Sequence, residues 1–289
     1  MKIIEQNLTK FSTIRTNSHA KYFCIIESIE DLIEATEFKL SHKLEYVVLG
    51  NGSNILFSRQ EYDDILFIKL GGEFNFLKIS EDFINIGAAY SLKLAGKELI
   101  KNGYSDYIFF NLIPACIGGA IAQNAGTTND GEVKDVCLSI RIFDTFKNKI
   151  IEFENKDCLF EYRNSIIKKI PNRYIVLSAK FNTINKTNDI ESLIIKTKTR
   201  IQEKVNREPF GYSFGSTFMN SSLPAWECVK SISDQLTTNK FISYSDKHYN
   251  WIINNNNSSG EDVVDLIKET QKLVKEKLDI KLINEVRII

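Results

Sequence analysis

The segment that decides the fold reads Ile113-Pro-Ala-Cys-Ile-Gly-Gly-Ala-Ile-Ala-Gln-Asn-Ala-Gly126. Most of its residues are small, whereas a core strand favours bulky β-branched side chains and a surface loop favours charged ones. Glycine and alanine leave the backbone open, so that a ligand could lie directly against it. The amides of Gln123 and Asn124 would suit the polar edge of a ring or a phosphate. Close packing of two backbone elements would also require small residues, and the sequence leaves both interpretations open.

A second glycine-rich segment, Leu49-Gly-Asn-Gly-Ser-Asn54, follows a predicted buried strand over 46–49. A strand followed by Gly-x-Gly is typical of dinucleotide-binding βαβ units, but Ile55 stands where the third glycine is needed and no helix clearly follows. What remains is a tight turn whose successive N–H groups could hold an anion, or a plain glycine-rich turn between strands. Two open backbone segments in one chain suit a long ligand with a central pyrophosphate, such as a dinucleotide cofactor bound without a Rossmann fold.

Composition and charge narrow the classes of function. The 289 residues are 43% hydrophobic and 26% charged, which is ordinary for a globular protein. Lys plus Arg equals Asp plus Glu at 37 each, so no overall charge favours nucleic acid or an anionic membrane, and we expect neither partner. The sequence has no apolar run of membrane-spanning length and no signal peptide, which predicts a cytoplasmic protein without membrane insertion.

Cysteine and histidine usage argues against thiol and metal chemistry. The five cysteines are scattered and form no Cys-x-x-Cys pair, so we expect reduced, buried thiols. The three histidines form neither a His-Glu-x-x-His motif nor a cluster with cysteines, and we expect no metal site.

Hydrophobic periodicity predicts an α+β fold, in which strand-rich and helix-rich stretches are partly segregated. Ser28-Ile-Glu-Asp31 resembles a capping box that opens a helix, and Gly103 is placed to end a helix that starts at Ser91. Further helices are expected over 189–206, near 224–232 and after a cap at 258–261, which follows a polar turn at 254–257. The predicted strands cover 46–49, 65–70, 76–79, 83–86, 138–143, 150–153, 174–181 and 251–254, with a β-rich tail over 280–289.

Three further clusters carry reactive side chains. Phe160-Glu-Tyr-Arg-Asn-Ser165 offers an arginine that is either a functional cation or an ordinary surface residue. Phe214-Gly-Ser-Thr-Phe-Met-Asn220 contains Ser216, which lacks both a Gly-x-Ser-x-Gly context and an evident histidine partner. This favours a proton-shuttling serine or a turn serine over an acyl-transfer nucleophile. Glu285, in Asn284-Glu-Val-Arg-Ile-Ile289, is either a solvent-facing strand residue or a placed acid.

In this order, the five clusters resemble the motifs of the UDP-N-acetylenolpyruvoylglucosamine reductase family, also called the UDP-N-acetylmuramate dehydrogenase or MurB family. Each motif is weak alone, but five in register are specific. Weaker similarity runs nearly from end to end, from Phe11–Thr16 to Lys247–Asn250. The family's LGxGSN, IPGxxGGAxxQNAG, YRxS, GSxF and EVRxIG motifs stand here as Leu49–Asn54, Ile113–Gly126, Tyr162–Ser165, Gly215–Phe218 and Glu285–Ile289.

The resemblance implies an α+β fold with a two-lobed FAD-binding domain of the vanillyl-alcohol-oxidase type, followed by a C-terminal α+β substrate-binding domain. The implied boundaries are 1–70 and 71–188 for the two lobes and 189–289 for the C-terminal domain, whose last strand could return to the active site. It further implies a flavoenzyme of the family's compact subtype, a cytoplasmic monomer that acts in peptidoglycan synthesis. NADPH, the hydride-donating cosubstrate, would reduce FAD and leave. The sugar nucleotide UDP-N-acetylglucosamine enolpyruvate would then enter and be reduced to UDP-N-acetylmuramate.

The family motifs transfer onto specific residues of this chain. Arg163 would stabilise enolate-like charge, Ser216 would deliver a proton to carbon, and Glu285 would help to polarise the substrate carboxylate. Tyr162 and Asn220 would contact the substrate. The expected FAD-binding residues are Gly50, Asn51, Gly52, Ser53, Asn54, Pro114, Gly118, Gly119, Gln123, Asn124 and Gly126.

This chain departs from the family pattern in places. Ala115 replaces the usual glycine, which is tolerable where φ is negative. Met219 and Ser221 stand where Lys-Asn-Pro-like residues are common, and the run 235–240 lacks the family's glycines. Two alternatives therefore stay open: an FAD-binding paralogue with a different substrate, and a non-catalytic FAD-fold protein that binds a partner. The second is weakened because all three expected catalytic residues are retained.

Overall fold

The structure, a computed structural model, describes residues 1–237, 240–255 and 258–289. Thr238 and Asn239, in the run 235–240 that departs from the family pattern, lie outside the described residues. Asn256 and Asn257, which belong to the predicted polar turn, also lie outside them.

Helices and strands alternate irregularly along the described chain. The α-helices are α1 (Ile29–Ser41), α2 (Leu92–Lys101), α3 (Ile117–Gln123), α4 (Val133–Val136), α5 (Ile166–Lys169), α6 (Ile190–Arg207), α7 (Ala225–Lys230) and α8 (Gly260–Leu278). The strands are β1 (Ile4–Asn7), β2 (His19–Ile26), β3 (Glu45–Leu49), β4 (Ile55–Leu56), β5 (Glu61–Leu70), β6 (Leu77–Ile79), β7 (Ile84–Gly87), β8 (Gly126–Thr127), β9 (Gly131–Glu132), β10 (Cys137–Asp144), β11 (Lys149–Glu154), β12 (Tyr174–Phe181), β13 (Ile242–Ser245), β14 (His248–Asn254) and β15 (Arg287–Ile288).

Most of the predicted elements are confirmed. The Ser28 hydroxyl accepts from the Asp31 N–H and caps α1, and Gly103 follows α2 with a φ of +85°. Strands β10 and β11 form the predicted hairpin, in which Asn148 has a φ of +49°. These agreements reflect local signals, since caps and turns depend on residues close in sequence.

Of three further local features, one confirms an expectation, one corrects an expectation and one was not predicted. The cap expected at 258–261 is confirmed: Ser259 caps α8 and exchanges hydrogen bonds with Asp262. The tail 280–289 was expected to be rich in strand, but in this fully described range its only strand is the short β15. Its other residues make isolated backbone hydrogen bonds to other segments instead of a continuous ladder. The small residues of Ile113–Gly126 include the helix α3, which periodicity did not indicate because glycine and alanine carry little hydrophobic contrast.

The chain folds into two compact units. Unit one comprises residues 1–4, 23–51 and 64–204, and unit two comprises residues 5–22, 52–63 and 205–289. Both units combine non-consecutive segments, whereas the domain boundaries expected at 70 and 188 divide the chain consecutively and stay a prediction.

Unit one is built on an antiparallel five-stranded sheet with the order β11-β10-β12-β7-β6. Helix α3 contacts β12 and β7. The core contains Phe109, Phe110 and Phe181, all with no exposed surface. Burying each such ring stabilises the fold by roughly 1.5–3 kcal/mol relative to exposure. Strand β3 pairs in parallel with β5 from Glu45 opposite Ile65 to Leu49 opposite Lys69, and it ends immediately before the glycine turn.

The core of unit two lies among α7, α8 and the β13–β14 hairpin, with Val229, Ile252 and Val263 fully buried. Strand β15 pairs in parallel with β4, so that Arg287 lies opposite Ile55. This pairing fixes the tail that carries Glu285 beside the end of the glycine turn.

Two features are absent from the described residues. None of their helices combines the length and the apolar character needed to cross a lipid bilayer. In that same part of the chain, no three His, Cys, Asp or Glu side chains gather in a group that could hold a metal ion.

The five cysteines are buried, as expected, and none forms a disulfide. Burial raises the pKa of Cys24 and Cys158 to about 12, and it also raises the pKa of Cys137. Since the thiolate is the reactive form, the folded protein should be slow to react with a thiol reagent at pH 8.

We therefore expect Ellman's reagent to modify the folded protein at least about tenfold more slowly than the urea-unfolded protein, in which all five thiols should react. The unfolded sample is the control for the thiol count. Rapid modification of the folded protein would contradict the burial described here.

Candidate active site

The two adjacent glycines of α3 differ in their surroundings: Gly118 packs against the protein, whereas Gly119 is exposed. The Gly118 N–H donates to the Ala88 carbonyl at 2.9 Å, and an added Cβ on Gly118 would stand 3.2 Å from the Ala88 Cβ. Gly119 is exposed, and an added Cβ there would meet only Cys116 Sγ, at 3.6 Å. Among the described residues its N–H has no protein acceptor. Gly118 thus permits close packing, while Gly119 leaves backbone open to a ligand.

Ala115, which replaces the family glycine, does not have a positive φ, so an alanine fits there without strain. Its carbonyl accepts from the Leu92 N–H at 2.9 Å, and this bond ties the start of α2 to the segment before α3.

Tyr162 and Arg163 form the tip of a two-residue turn. Glu161 and Asn164 close the turn by exchanging backbone hydrogen bonds of 3.0 and 3.1 Å. Arg163 has a φ of +54°, a conformation that is uncommon for residues other than glycine and that clusters at functional sites. The exposed Tyr162 ring lies 5.0 Å from the Arg163 guanidinium carbon. The turn therefore presents a strained arginine beside an exposed aromatic ring.

Asn124 connects this turn to the end of α3. It ends the helix in the left-handed conformation, with a φ of +42°, and it has no exposed surface. Its Nδ2 donates to the Glu161 carbonyl at 3.0 Å, and its Oδ1 accepts from the Lys134 N–H at 2.9 Å. Both ends of the side-chain amide are therefore bonded within the protein.

Two more hydrogen bonds join the same segments. The buried Ser165 hydroxyl donates to the Ala122 carbonyl at 2.8 Å and also caps α5. Arg163 Nη2 donates to the Gly126 carbonyl at 2.9 Å. The structure thus brings the glycine-rich segment and the Tyr-Arg segment together in unit one, although they are far apart in sequence.

Lys168 determines how the Gln123 amide is oriented. Lys168 Nζ donates at 2.8 Å both to Gln123 Oε1 and to the Arg163 carbonyl. Because an ammonium group only donates, the amide oxygen of Gln123 must face it, and Nε2 faces away. Nε2 is buried and has no hydrogen-bond partner among the described residues. Such an unpartnered donor costs about 1–3 kcal/mol, so an acceptor supplied by a ligand would be favoured there.

An ion pair fixes the hairpin that carries the Gly126 carbonyl. Asp130, between β8 and β9, accepts from the Thr127 hydroxyl and from two nitrogens of Arg200 on α6, each at 2.8 Å. Burial by itself raises the pKa of Asp130, but the Arg200 guanidinium and the Thr127 hydroxyl outweigh it, so the pKa lies below its usual value. The carboxylate is therefore ionised at neutral pH, and the hairpin is bound to α6.

The first residues of the glycine turn lie in unit one, beside the start of α3. An added Cβ on Gly50 would stand 2.7 Å from Cys116 Sγ. Asn51 Nδ2 donates to the Pro114 carbonyl at 3.5 Å, and both residues are exposed. Since Gly119 neighbours the same cysteine sulfur, four of the expected FAD-binding residues meet here.

The remaining residues of the turn lie in unit two. Gly52 has a φ of +68°, and an added Cβ would stand 1.9 Å from the Phe11 carbonyl oxygen, so only glycine fits. Asn54 Nδ2 donates to the Glu285 carbonyl at 3.1 Å. From residue 51 to residue 54, with Ser53 in the middle, no backbone N–H has an acceptor among the residues that the structure describes. A run of unpaired N–H groups of this kind suits an anion.

Ser216 and Glu285 lie on neighbouring segments of unit two. The Thr217 carbonyl accepts from the Glu285 N–H at 2.8 Å, and Ser216 pairs with Trp251 of β14. Within the described ranges the Ser216 hydroxyl has no hydrogen-bond partner. The structure thus brings the serine and the glutamate together in unit two, while Arg163 and Tyr162 belong to unit one.

Asn220 follows this segment and is exposed. Its Oδ1 accepts from the Ala225 N–H at 3.0 Å, which satisfies an amide at the start of α7. Nδ2 is the part of the side chain that could reach a substrate.

The sequence did not single out Asn250 as a functional residue, although it lies in the weaker family match. It is buried, its Oδ1 accepts from the Phe218 N–H at 3.0 Å, and its Nδ2 donates to the Phe218 carbonyl at 2.8 Å. Its own carbonyl accepts from the Thr217 N–H at 2.8 Å. Asn250 therefore fixes the segment that carries Ser216. The sequence does contain a signal that could have identified Asn250, namely a side-chain amide among the apolar residues of a strand.

Comparison with known families divides the site residues between two matches. Residues 20–153 match the family described as an FAD-binding domain, and this range contains all the expected FAD-binding residues. Residues 208–289 match the C-terminal domain of UDP-N-acetylenolpyruvoylglucosamine reductase, and this range contains Ser216, Asn220 and Glu285. Tyr162 and Arg163 lie between the two matches.

Similar proteins cover nearly the whole chain. The UDP-N-acetylenolpyruvoylglucosamine reductase of Chlamydia muridarum is 31% identical over 288 residues, 98% of this chain and 92% of that protein. The reductase of Clostridioides difficile is 29% identical and covers 99% of this chain and 92% of its own. The crystal structure of UDP-N-acetylenolpyruvylglucosamine reductase (MurB) from Thermus caldophilus has a TM-score of 0.83 at 25% identity, covering 100% of this chain and 99% of that one.

These matches confirm the predicted α+β class, with an FAD-binding domain that precedes a C-terminal domain. The match to the Thermus caldophilus structure covers 100% of this chain, so that every motif of the resemblance lies within it. The chain belongs to the UDP-N-acetylenolpyruvoylglucosamine reductase (MurB) family.

Proposed function

We propose that this protein is an FAD-dependent oxidoreductase that uses NADPH to reduce UDP-N-acetylglucosamine enolpyruvate to UDP-N-acetylmuramate in peptidoglycan precursor synthesis. The relatives that share nearly its full length are named for this reductase activity. One structural observation carries the proposal. The 2.8 Å bond from the Glu285 N–H to the Thr217 carbonyl draws together Ser216 and Glu285, the serine and glutamate of the family motifs.

The residues present fit FAD. The unpaired N–H groups of 51–54 suit its pyrophosphate, and the open backbone at Gly119 leaves room for a flat ring. Gln123 Nε2 would donate to an acceptor atom on the edge of that ring. Asn124 was expected from the sequence to bind FAD, but it has no exposed surface and its side chain is bonded within the protein, so it is not proposed to contact the cofactor. The residues proposed to line the FAD site are Gly50, Asn51, Gly52, Ser53, Asn54, Pro114, Gly118, Gly119, Gln123 and Gly126.

When bound, FAD would take a hydride from NADPH and supply it to the enolpyruvyl methylene carbon of the substrate. The side chains of the protein manage the charge and the proton that this addition requires. Negative charge develops on the carbon that carries the carboxylate, and the Arg163 guanidinium would stabilise it. Glu285 would polarise the carboxylate. Ser216 Oγ would hold the proton for that carbon, because the developing carbanion is far more basic than an alkoxide.

Further parts of the proposal concern the substrate and the setting. Tyr162 and Asn220 would contact the sugar nucleotide. Residues 1–70 and 71–188 would form the two FAD-binding lobes, and 189–289 the substrate-binding domain. We propose a monomer in the cytoplasm, as the family resemblance implies.

The visible spectrum of the purified protein tests the proposed function. We expect an oxidised-flavin spectrum that NADPH bleaches anaerobically and that UDP-N-acetylglucosamine enolpyruvate restores. A colourless protein that takes up no FAD would exclude a flavoenzyme and leave a partner-binding protein. Flavin that NADPH reduces but the enolpyruvyl substrate does not reoxidise would favour a paralogue with another substrate, as the changes at Met219 and Ser221 could allow.

Ser216→Ala tests the proton donor. Because the Ser216 hydroxyl has no partner among the described residues, its loss should leave the free energy of unfolding within about 0.5 kcal/mol of the wild type. Reduction of the flavin by NADPH should stay within about twofold, whereas reoxidation by the substrate should slow by several orders of magnitude. Stopped-flow absorbance measures both half-reactions. The exposed Ser222→Ala is the matched control, and an equal loss in both half-reactions would reject the role of Ser216.

Gly119→Ala distinguishes an effect on FAD binding from an effect on stability. Alanine is the better helix former and its Cβ would clash with nothing in the protein, so the apo protein should gain up to about 1 kcal/mol of stability. The same Cβ would occupy space next to FAD, and the Kd for FAD should rise at least about tenfold. Fluorescence titration of the apoprotein gives the Kd, and urea unfolding gives the stability.

Gly118→Ala provides the contrasting variant, because its Cβ would press on Ala88 and should lower stability. An unchanged Kd for FAD in Gly119→Ala would show that the cofactor does not lie against Gly119.

A further inference from the structure

We infer that Asn124 is a positioning residue for Arg163: its buried side-chain amide sets the turn that carries the arginine, and it contacts neither cofactor nor substrate itself. The inference rests on the proposed function, because it concerns the charge that Arg163 would stabilise. It assigns to the asparagine of the glycine-rich segment a part in the second half-reaction rather than in holding FAD.

The hydrogen bonds of Asn124 leave its side chain nothing to offer a ligand. The residue has no exposed surface, its Oδ1 accepts from the Lys134 N–H at 2.9 Å, and its Nδ2 donates to the Glu161 carbonyl at 3.0 Å. The left-handed backbone at Asn124 directs this side chain across the end of α3, and asparagine tolerates that conformation better than most residues.

The Glu161 carbonyl is the point at which Asn124 acts on the turn. This oxygen accepts two N–H groups, one from Asn164 at 3.1 Å and one from Asn124. The first bond closes the turn, and the second attaches the closed turn to α3. Glu161 immediately precedes Tyr162 and Arg163, so the attachment lies at the base of the reactive tip.

The backbone of Arg163 depends on such an attachment. Its φ of +54° and the φ of +46° at Leu159 place two strained residues other than glycine within one short segment. Strained conformations persist only where the surroundings determine them fully. The guanidinium bond to Gly126 orients the end of the arginine, but it does not fix the main chain at the base of the turn.

The other contacts with the turn act elsewhere. Ser165 bonds to Ala122 beyond the turn, and Lys169 Nζ reaches the Glu161 carboxylate on the exposed side, at 2.5 Å. The exposed Lys168 Nζ bonds to the Arg163 carbonyl at the tip of the turn, at 2.8 Å. None of the three supplies a donor to the Glu161 carbonyl. Without Asn124 Nδ2 the turn could shift relative to α3, and a displacement of about 1 Å at a reacting group can cost on the order of 100-fold in rate.

Two variants remove this donor while sparing the backbone. Asn124→Gly keeps the left-handed conformation and deletes the side chain. Asn124→Asp keeps an acceptor for the Lys134 N–H but places a carboxylate oxygen against the Glu161 carbonyl. For both holoenzymes we expect the Kd for FAD and the rate of flavin reduction by NADPH to stay within about threefold of the wild type. Reoxidation by UDP-N-acetylglucosamine enolpyruvate should slow by about 10- to 100-fold.

Asn172→Gly is the matched control. Asn172 also has a left-handed φ, of +61°, and its side chain also makes a hydrogen bond, to Glu45 at 2.9 Å. It lies outside the segments described for the site, so both half-reactions should keep their wild-type rates.

A double-mutant cycle with Arg163→Ala distinguishes positioning from general destabilisation. If Asn124 acts through Arg163, the double variant should reoxidise no more slowly than Arg163→Ala alone, because the effects of residues that act as a unit do not add. Additive losses, or wild-type reoxidation in both Asn124 variants, would overturn the inference while the proposed function stands. Wild-type reoxidation in Arg163→Ala would overturn both the inference and the proposed role of Arg163.

Discussion

The hydrogen bond from Asn124 Nδ2 to the Glu161 carbonyl attaches the base of the turn with Arg163 to the end of α3. It joins the end of α3, where the backbone turns left-handed, to the strained turn at Tyr162 and Arg163. A buried amide is well suited to this task, since it offers a donor and an acceptor without bringing a charge into the core. Both atoms are bonded, so burial leaves no polar group of this side chain unsatisfied.

Unit two also contains a buried asparagine whose side chain bonds to the backbone of a segment with a reactive residue. Asn250 is buried in β14, and its side-chain amide completes the hydrogen bonds of Phe218, two residues after Ser216. Each unit thus has one buried asparagine that fixes a segment with a reactive side chain. The reactive residues themselves are less buried, as a group that must meet a substrate requires.

The small residues of the chain serve two purposes that composition cannot separate. Gly52 and Gly118 are small because a carbonyl or an alanine of the protein lies against them, whereas Gly119 faces open space. The unpaired N–H groups of 51–54 add a polar surface that the protein does not use internally. The open backbone in these two segments agrees with the FAD-binding family matched over residues 20–153.

The sequence by itself determined most of the local structure and the identity of the family. Caps, turns and the hairpin at Asn148 depend on residues close together, and five motifs in order suffice for a resemblance. The tertiary structure determined which motifs contact one another and which of their atoms stay accessible. That Asn124 bonds within the protein, that Gly118 packs while Gly119 stays open, and that Glu285 meets the segment of Ser216 all depend on contacts between distant parts of the chain. A linear pattern records which residues are small or polar, but the partner of a buried polar group is set only when separate segments fold against each other.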